Sequence, residues 1–289
     1  MQEPALPLQR LIILGLLAFS GGFSAQAKQP VLPADKSGYH LFKPTPEEQM
    51  RDLITDRPDK TESPYTVDAG HFQIEADIVN WTRNHDAGIS FDAIDAAAVN
   101  LKAGLTNYLD FQVIVNAYHC ERTRSGELHD STSGFGDLTL RTKLNFWGND
   151  GGRTAFGIMP FVTLPTASGD YGVSQTEGGI ILPLAIQLAE GWGLGMMTEW
   201  DFVSAEDGGS THRFVNSISL SHDFTEQLGM YLEFFSDVPT ENTGDWIGTV
   251  DVGFTYAVTK NVQFDAGVNF GVTEAADDLN PFIGFSVRL

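Results

Sequence analysis

Beyond residue 28 the chain contains no apolar run approaching the roughly 20 residues that a membrane-spanning helix needs. Its single cysteine, Cys120, excludes an internal disulfide. Basic residues are also scarce, 17 Lys and Arg against 38 Asp and Glu, for a formal charge of -21. That balance excludes a basic patch for nucleic acid or anionic lipid and makes cations or neutral solutes the easier partners. Signatures of catalysis are missing as well: no H-E-x-x-H, no G-x-S-x-G, no P-loop, no G-x-G-x-x-G and no C-x-x-C. No EF-hand spacing stands behind the acidic groups Glu206-Asp207, Asp237/Glu241/Asp245 and Glu274/Asp277/Asp278, so they read as solvated loop charges. Taken together, these absences point to a protein that is not an enzyme, with no cofactor and no resident metal.

What is present is a chain rich in turns and aromatics, with 30 Gly and 20 Phe among 289 residues. It opens like a secretory signal: Arg10 ends a short polar region, Leu11 to Phe19 form an apolar core of about nine residues, and Ala25-Gln26-Ala27 offers a cleavage site. Residues 1–27 are expected to be a signal peptide, with the mature chain starting near Lys28. Residues 28–67 carry Pro30, Pro33, Pro44, Pro46, Pro58 and Pro64 without sustained alternation, which predicts an irregular extension. One short helix is expected over 46–54, capped by Thr45, started by Pro46 and favoured by Glu47 and Glu48.

From His71 the apolar residues recur with a period of two, as in Leu109/Phe111/Val113/Val115 and Val262/Phe264/Ala266/Val268/Phe270. About twelve such segments follow, each near the length of a tilted strand that crosses a bilayer. Without a spanning helix, an integral membrane protein must close its strands into a barrel, since otherwise backbone groups stay unpaired in lipid. Pro160 and Pro183 interrupt two of the segments and predict bulges. Connections alternate: short corners such as Thr106-Asn107-Tyr108, Thr225-Glu226-Gln227 and Thr259-Lys260-Asn261 interleave with longer links at Arg83 to Gly88, Cys120 to Gly134 and Pro165 to Gly178. That is the rim pattern of an outer-membrane barrel. Tyr108, Trp147, Trp192 and Phe224 fall at the short corners, and Trp200, Phe202, Phe235 and Trp246 at the other rim, as two aromatic girdles would. The expected fold is therefore all-β, a transmembrane antiparallel up-and-down barrel over 68–289 in the outer membrane of a Gram-negative bacterium. Its last strand, Phe282 to Leu289, would serve the assembly machinery, and outer-membrane lipid would contact the apolar face.

Thr55 to Glu75, T-D-R-P-D-K-T-E-S-P-Y-T-V-D-A-G-H-F-Q-I-E, resembles the opening motif of the bacterial meta-pathway phenol degradation family, also called transporter. Gly134 to Leu144 and the corner before Leu109 resemble two further motifs of that family. The resemblance implies an outer-membrane barrel and a transport role for small molecules. It implies no catalytic residues.

Alternation places Glu75, Asp77, Asp110, Gln112, Asn116, Asp137, Glu199, Glu233, Asp251 and Asp265 on the inward face, opposed by Arg141, Lys143 and Arg288. Such charges would be costly against lipid. Inside, two readings stand: they line a water-filled path and set its ion preference, or they pair to hold the wall together. Two functions stand beside them. One is a channel for passive uptake of small solutes, cationic, aromatic or apolar. The other is a closed structural or adhesion barrel plugged by residues 28–67, with Arg57, Lys60 and Tyr65 reaching the lumen carboxylates. A third, weaker alternative is an outer-membrane phospholipase using the adjacent pair Ser221-His222.

Overall fold

The computed structural model describes residues 35–86, 88–168, 172–205, 209–240 and 245–289. The expected signal peptide, Glu206-Asp207 and Glu241 lie outside the described residues. Among the described residues thirteen strands follow one another in sequence: β1 (Phe72–Asp86), β2 (Ile89–Thr106), β3 (Leu109–Ser125), β4 (Leu128–Gly134), β5 (Leu138–Trp147), β6 (Thr154–Leu164), β7 (Glu177–Ala189), β8 (Trp192–Ser204), β9 (Ser210–Asp223), β10 (Leu228–Pro239), β11 (Ile247–Thr259), β12 (Val262–Gly271) and β13 (Leu279–Arg288). Each pairs antiparallel with its neighbours, β13 returns to β1, and β2 pairs with β3, so the wall closes on itself, and β4 alone, paired only with β3, keeps an open edge among the described strands. β4 and β5 share one place, since β4 pairs with His119–Ser125 and β5 with Leu109–Val115 of β3. The wall is thus a closed barrel of twelve strand positions.

Closure matters because every wall N–H and C=O must find its partner within the protein once lipid replaces water. Outside, the alternation delivers Phe72, Leu232, Phe234, Phe254, Phe264 and Phe270, each 40–50% exposed. Two aromatic belts flank this band. At the short-corner rim Trp192 stacks on His222 at 4.1 Å and His222 meets Phe224 edge-on at 5.0 Å. At the other rim Trp200 lies 4.8 Å from Phe202 and 6.2 Å from Phe214. Phe235 does not join that belt. It points inward, because it shares the parity of Tyr231 and Glu233, and it packs against a buried apolar cluster.

Three local expectations are corrected. The helix over 46–54 reduces to a 3-10 turn at Glu47–Gln49: tertiary contacts pull the backbone from Arg51 onward into extended form. The long links at 83–88 and 120–134 are mostly strand, because β1 to β4 run past the rim and turn tightly at Gly88 and Gly126, both with positive φ. Pro160 and Pro183 sit in register without bulges. Beside each the ladder skips two places and resumes at the same offset, from Arg141↔Phe161 to Leu144↔Ile158 and from Phe156↔Leu184 to Met159↔Ile181.

Irregularity appears elsewhere. β1 bulges between Asp77 and Val79, the facing β2 residue Ala97 adopts φ 53°, and β5 starts only after the break at 135–137. The inward parity of β2 and β3 switches across this line. Below it Lys102 and Gln112 face inward; above it Asp95 and His119 meet at 2.6 Å.

Candidate functional site

The lumen is occupied by residues 51–68 of the extension, which dip into it from the short-corner rim, bend at 56, 58–61 and 64, return to the same rim and hydrogen-bond to the inward face along their length. Near the short-corner rim, Arg51 donates to Asp150 (3.1 Å), Asn107 (2.9 Å) and the Thr66 carbonyl (2.9 Å). Lys36 adds a second cation to Asp150 at 2.8 Å. Burial works to raise the Asp150 carboxyl, but the bonds from Lys36 and Asn107 and the Arg51 charge prevail and hold it below the ordinary carboxylate value. Arg288 donates to the Arg51 carbonyl at 2.7 Å and to Asn261. It is therefore a rim clasp and does not line a mid-lumen path.

Deeper, one carboxylate organises the wall of β1, β2, β3 and β5. Asp56 accepts from Lys102 at 2.5 Å and from Lys143 at 2.5 and 2.7 Å. Lys102 also bonds Glu75, which receives Gln73 at 2.7 Å and the Asp56 backbone N–H at 3.2 Å. Arg141 pairs with Glu62 and donates to Gln112 at 2.9 Å. Gln112 in turn donates to Asp110, which accepts the Val67 N–H at 3.1 Å. Three cations, Lys102, Arg141 and Lys143, thus meet three carboxylates, Asp56, Glu62 and Glu75. All are mostly buried, with Lys143 1% and Glu75 2% exposed. An uncompensated charge here would cost about 3–5 kcal/mol, so the set persists only as a balanced whole.

Across the lumen, Arg57 bridges Asp77 and Asp265, each at 2.7 Å. The Lys60 and Thr61 N–H groups donate to Glu233 at 2.9 and 2.7 Å, and the Thr61 and Ser217 hydroxyls lie 2.6 Å apart. The Lys60 ammonium donates to Thr249 at 2.9 Å, lies 3.4 Å from Asp251 and sits 4.5 Å over the Phe235 ring. Glycines make this close fit possible. A Cβ on Gly104 would fall 2.1 Å from the Asp68 carbonyl oxygen, and one on Gly284 would fall 2.2 Å from the Arg57 guanidinium.

Of the plug candidates, Arg57 and Lys60 reach carboxylates as the charge pattern predicts. Tyr65 instead lines a cavity of ≈ 280 Å³ between the extension and β7 to β11. Asp137 departs from expectation: its carboxylate accepts the N–H groups of Thr166, Ala167 and Val173 at 2.6–2.8 Å and so ties down an outer loop. Asn116 bonds Asp95. Glu199 faces inward beside Asp201, whose Oδ1 is buried without a partner. Ser221 and His222 cannot form a dyad, because Ser221 lines the inner cavity while His222 stacks on Trp192 outside.

Sequence reasoning missed the other half of the lumen. Met159, Ile181, Met197 and Val215 are at most 7% exposed and form an apolar cluster covered by Phe161 and Phe235. These positions alternate correctly in β6 to β10, but apolar residues flank them on both faces, and the period-two signal vanishes. Two larger hollows open at the ends. One at the short-corner mouth holds ≈ 790 Å³, bordered by Asp52, Glu190, Asp223 and Glu226, and one at the other mouth holds ≈ 320 Å³, bordered by Glu177, Thr211 and Arg213.

A closed wall with an apolar belt outside and ionised groups inside defines the outer-membrane β-barrel class. The family described as "Putative MetA-pathway of phenol degradation" matches residues 55–289, and the chain belongs to it. No curated protein matches the chain by sequence. Among solved structures it is similar to the COG4313 outer membrane channel from Pseudomonas putida F1, at 14% identity and TM-score 0.56, over 82% of this chain and 100% of that one. The NanC porin (8% identity, TM-score 0.49, 75% and 100% covered) and the translocator domain of autotransporter NalP from Neisseria meningitidis (9%, 0.49, 76% and 88%) lie further off. The likeness concerns the barrel fold.

Proposed function

We propose that the protein is an outer-membrane channel of a Gram-negative bacterium for small solutes, held shut by residues 51–68 in the conformation described above. The observation that carries this reading is the arrangement of the lumen: hollows open at both mouths, and between them residues 51–68 form a septum in which Lys60 and Thr61 bridge to Glu233, Asp251 and Phe235. Beside the septum lies the apolar cluster under Phe161 and Phe235, and these two partly buried rings suit aromatic or apolar solutes. The carboxylates around it favour cations or neutral molecules over anions. Outer-membrane lipid would cover the apolar belt, and the strand Phe282–Leu289 would be read during assembly.

The plugged structural barrel remains the second reading, favoured by the number of buried ion pairs that hold the extension. One experiment separates the two. In a Cys120→Ser background, Thr61→Cys with Ser217→Cys would lock the segment to β9 on oxidation, since the two hydroxyls are already 2.6 Å apart. Planar-bilayer current that rises on reduction and falls on oxidation supports a channel. Absence of current in the reduced form, with current appearing after removal of residues 28–64, supports the plug.

A further inference from the structure

The cavity of ≈ 280 Å³ beside Tyr65 borders the septum at Thr61, and no function above uses it. Three neighbouring wall positions without side chains, Gly193, Gly195 and Gly229, create it. A Cβ at Gly193 would come 2.6 Å from the Ser221 hydroxyl, and one at Gly229 would come 2.8 Å from that of Thr255. For scale, about 150 Å³ of cavity accommodates benzene, so the chamber has room for a single ring with a short chain.

Its chemistry is one-sided. Asp59 and Glu62 line it; Arg141 holds one Glu62 oxygen, and the other, Oε2, is buried without a hydrogen-bond partner. The one basic lining residue, Arg57, is already engaged by Asp77 and Asp265. Ser219, 3% exposed, faces the Asp59 carboxyl. Tyr231, also 3% exposed, lines the same chamber with its hydroxyl unpartnered. Buried polar groups left unsatisfied are costly, and a site that presents several of them together is completed by a ligand that supplies donors. The Tyr65 phenol ring adds a face on which a cation or a second ring can rest.

Access has the same sign. The chamber shares Asp223, Gly229 and Thr255 with the ≈ 790 Å³ hollow at the short-corner mouth, which is the periplasmic end by the usual barrel orientation. Acids border that hollow, and its Lys260 is taken up by Glu47. A path of one sign concentrates the opposite charge.

We infer that this chamber binds a small organic cation, a protonated amine carrying one ring or an equivalent short apolar group, with its ammonium between Asp59 and Glu62 and its apolar part toward Tyr65 and the glycine wall. The inference does not depend on whether solutes cross the septum, because the chamber opens on the periplasmic side of it.

The test uses the full chain refolded in detergent and titrated by calorimetry with phenethylamine, with the uncharged 2-phenylethanol as its isosteric control. Expected is saturable binding of the amine, at least about tenfold weaker binding of the alcohol, and about a tenfold loss of amine affinity in Asp59→Asn. Heat-modifiable gel migration checks that the variant is folded. A second variant, Gly193→Leu, fills the chamber from the wall and should abolish amine binding. Equal affinity for amine and alcohol, undiminished affinity in both variants, or no binding of the amine would each overturn the inference. Conductance of the same preparation is recorded in parallel, so a failed channel reading and a failed chamber reading give different results.

Discussion

Asp56 and Lys143 stand 87 residues apart in sequence and 2.5 Å apart in the lumen. Lys102 holds the other side of the same carboxylate, so the extension is pinned to β2 and β5 at one atom group. Asp56→Asn is therefore expected to lose about 3–5 kcal/mol of stability, because two buried ammonium groups lose their shared counter-charge. Urea unfolding in lipid vesicles measures the loss. If Lys143→Met restores part of it in the double variant, the cost is uncompensated charge, and packing is not its source.

Arg57 lies across the β1–β13 seam, and Gly284 gives it room. A methyl group at Gly284 would fall 2.2 Å from the Arg57 guanidinium and 2.5 Å from the Ala76 carbonyl oxygen. Arginine can swing aside, but the backbone cannot. Gly284→Ala should destabilise by about 1–3 kcal/mol through overpacking and should raise hydrogen exchange in β1 and β13 more than in β8 and β9. Uniform exchange across the four strands would contradict this.

The anchor at the short-corner rim is expected to respond to acid. Asp150 has a folded-state pKa held below that of a free carboxylate, so its contribution is present above the unfolded value of about 3.9 and is lost as pH falls through the lower folded value. Residues 36–51 should stay protected from protease at pH 5–7 and become cleavable below about pH 4. Asp150→Asn should be cleaved there already at pH 7. Equal cleavage of variant and parent at pH 7 would refute this anchoring role.

The outward face has its own test. Leu232, 50% exposed and mid-strand in β10, is expected to contact hydrocarbon, and Leu232→Arg should cost about 2–4 kcal/mol in vesicles. Ser217→Arg, one residue type on the opposite face, would strike Thr61 and Glu233 instead and should affect the segment before the wall. A variant Leu232→Arg as stable as the parent would place that face in water.

The legible part of this protein was the part written with a local period. Strand limits such as Leu109 and Val262, the corners between them and the outward residues of β10 to β12 follow from alternation and turn chemistry within a few residues. Neither reading of the wall charges, lining open water or bracing the wall, named the extension as their partner; only the plugged-barrel alternative did, through Arg57, Lys60 and Tyr65. Glu75, Asp110, Glu233 and Asp265 bind a third party, the extension, and nothing local distinguishes an acid that faces water from one that awaits Lys60 N–H or Arg57. The parity switch above Ala97 was equally hidden, since alanine carries no turn signal and nothing in its neighbourhood in the sequence marks a φ of 53°.

Sequence by itself determined that the chain closes into a barrel: period-two apolar faces with no spanning helix leave no other way to satisfy backbone groups in lipid. Tertiary structure alone decided which part of the extension enters that barrel and which wall groups it meets. The segment Arg51 to Asp68 has no periodic pattern of its own, and its course is set by partners up to 237 residues away, which become neighbours only once the wall has closed around it.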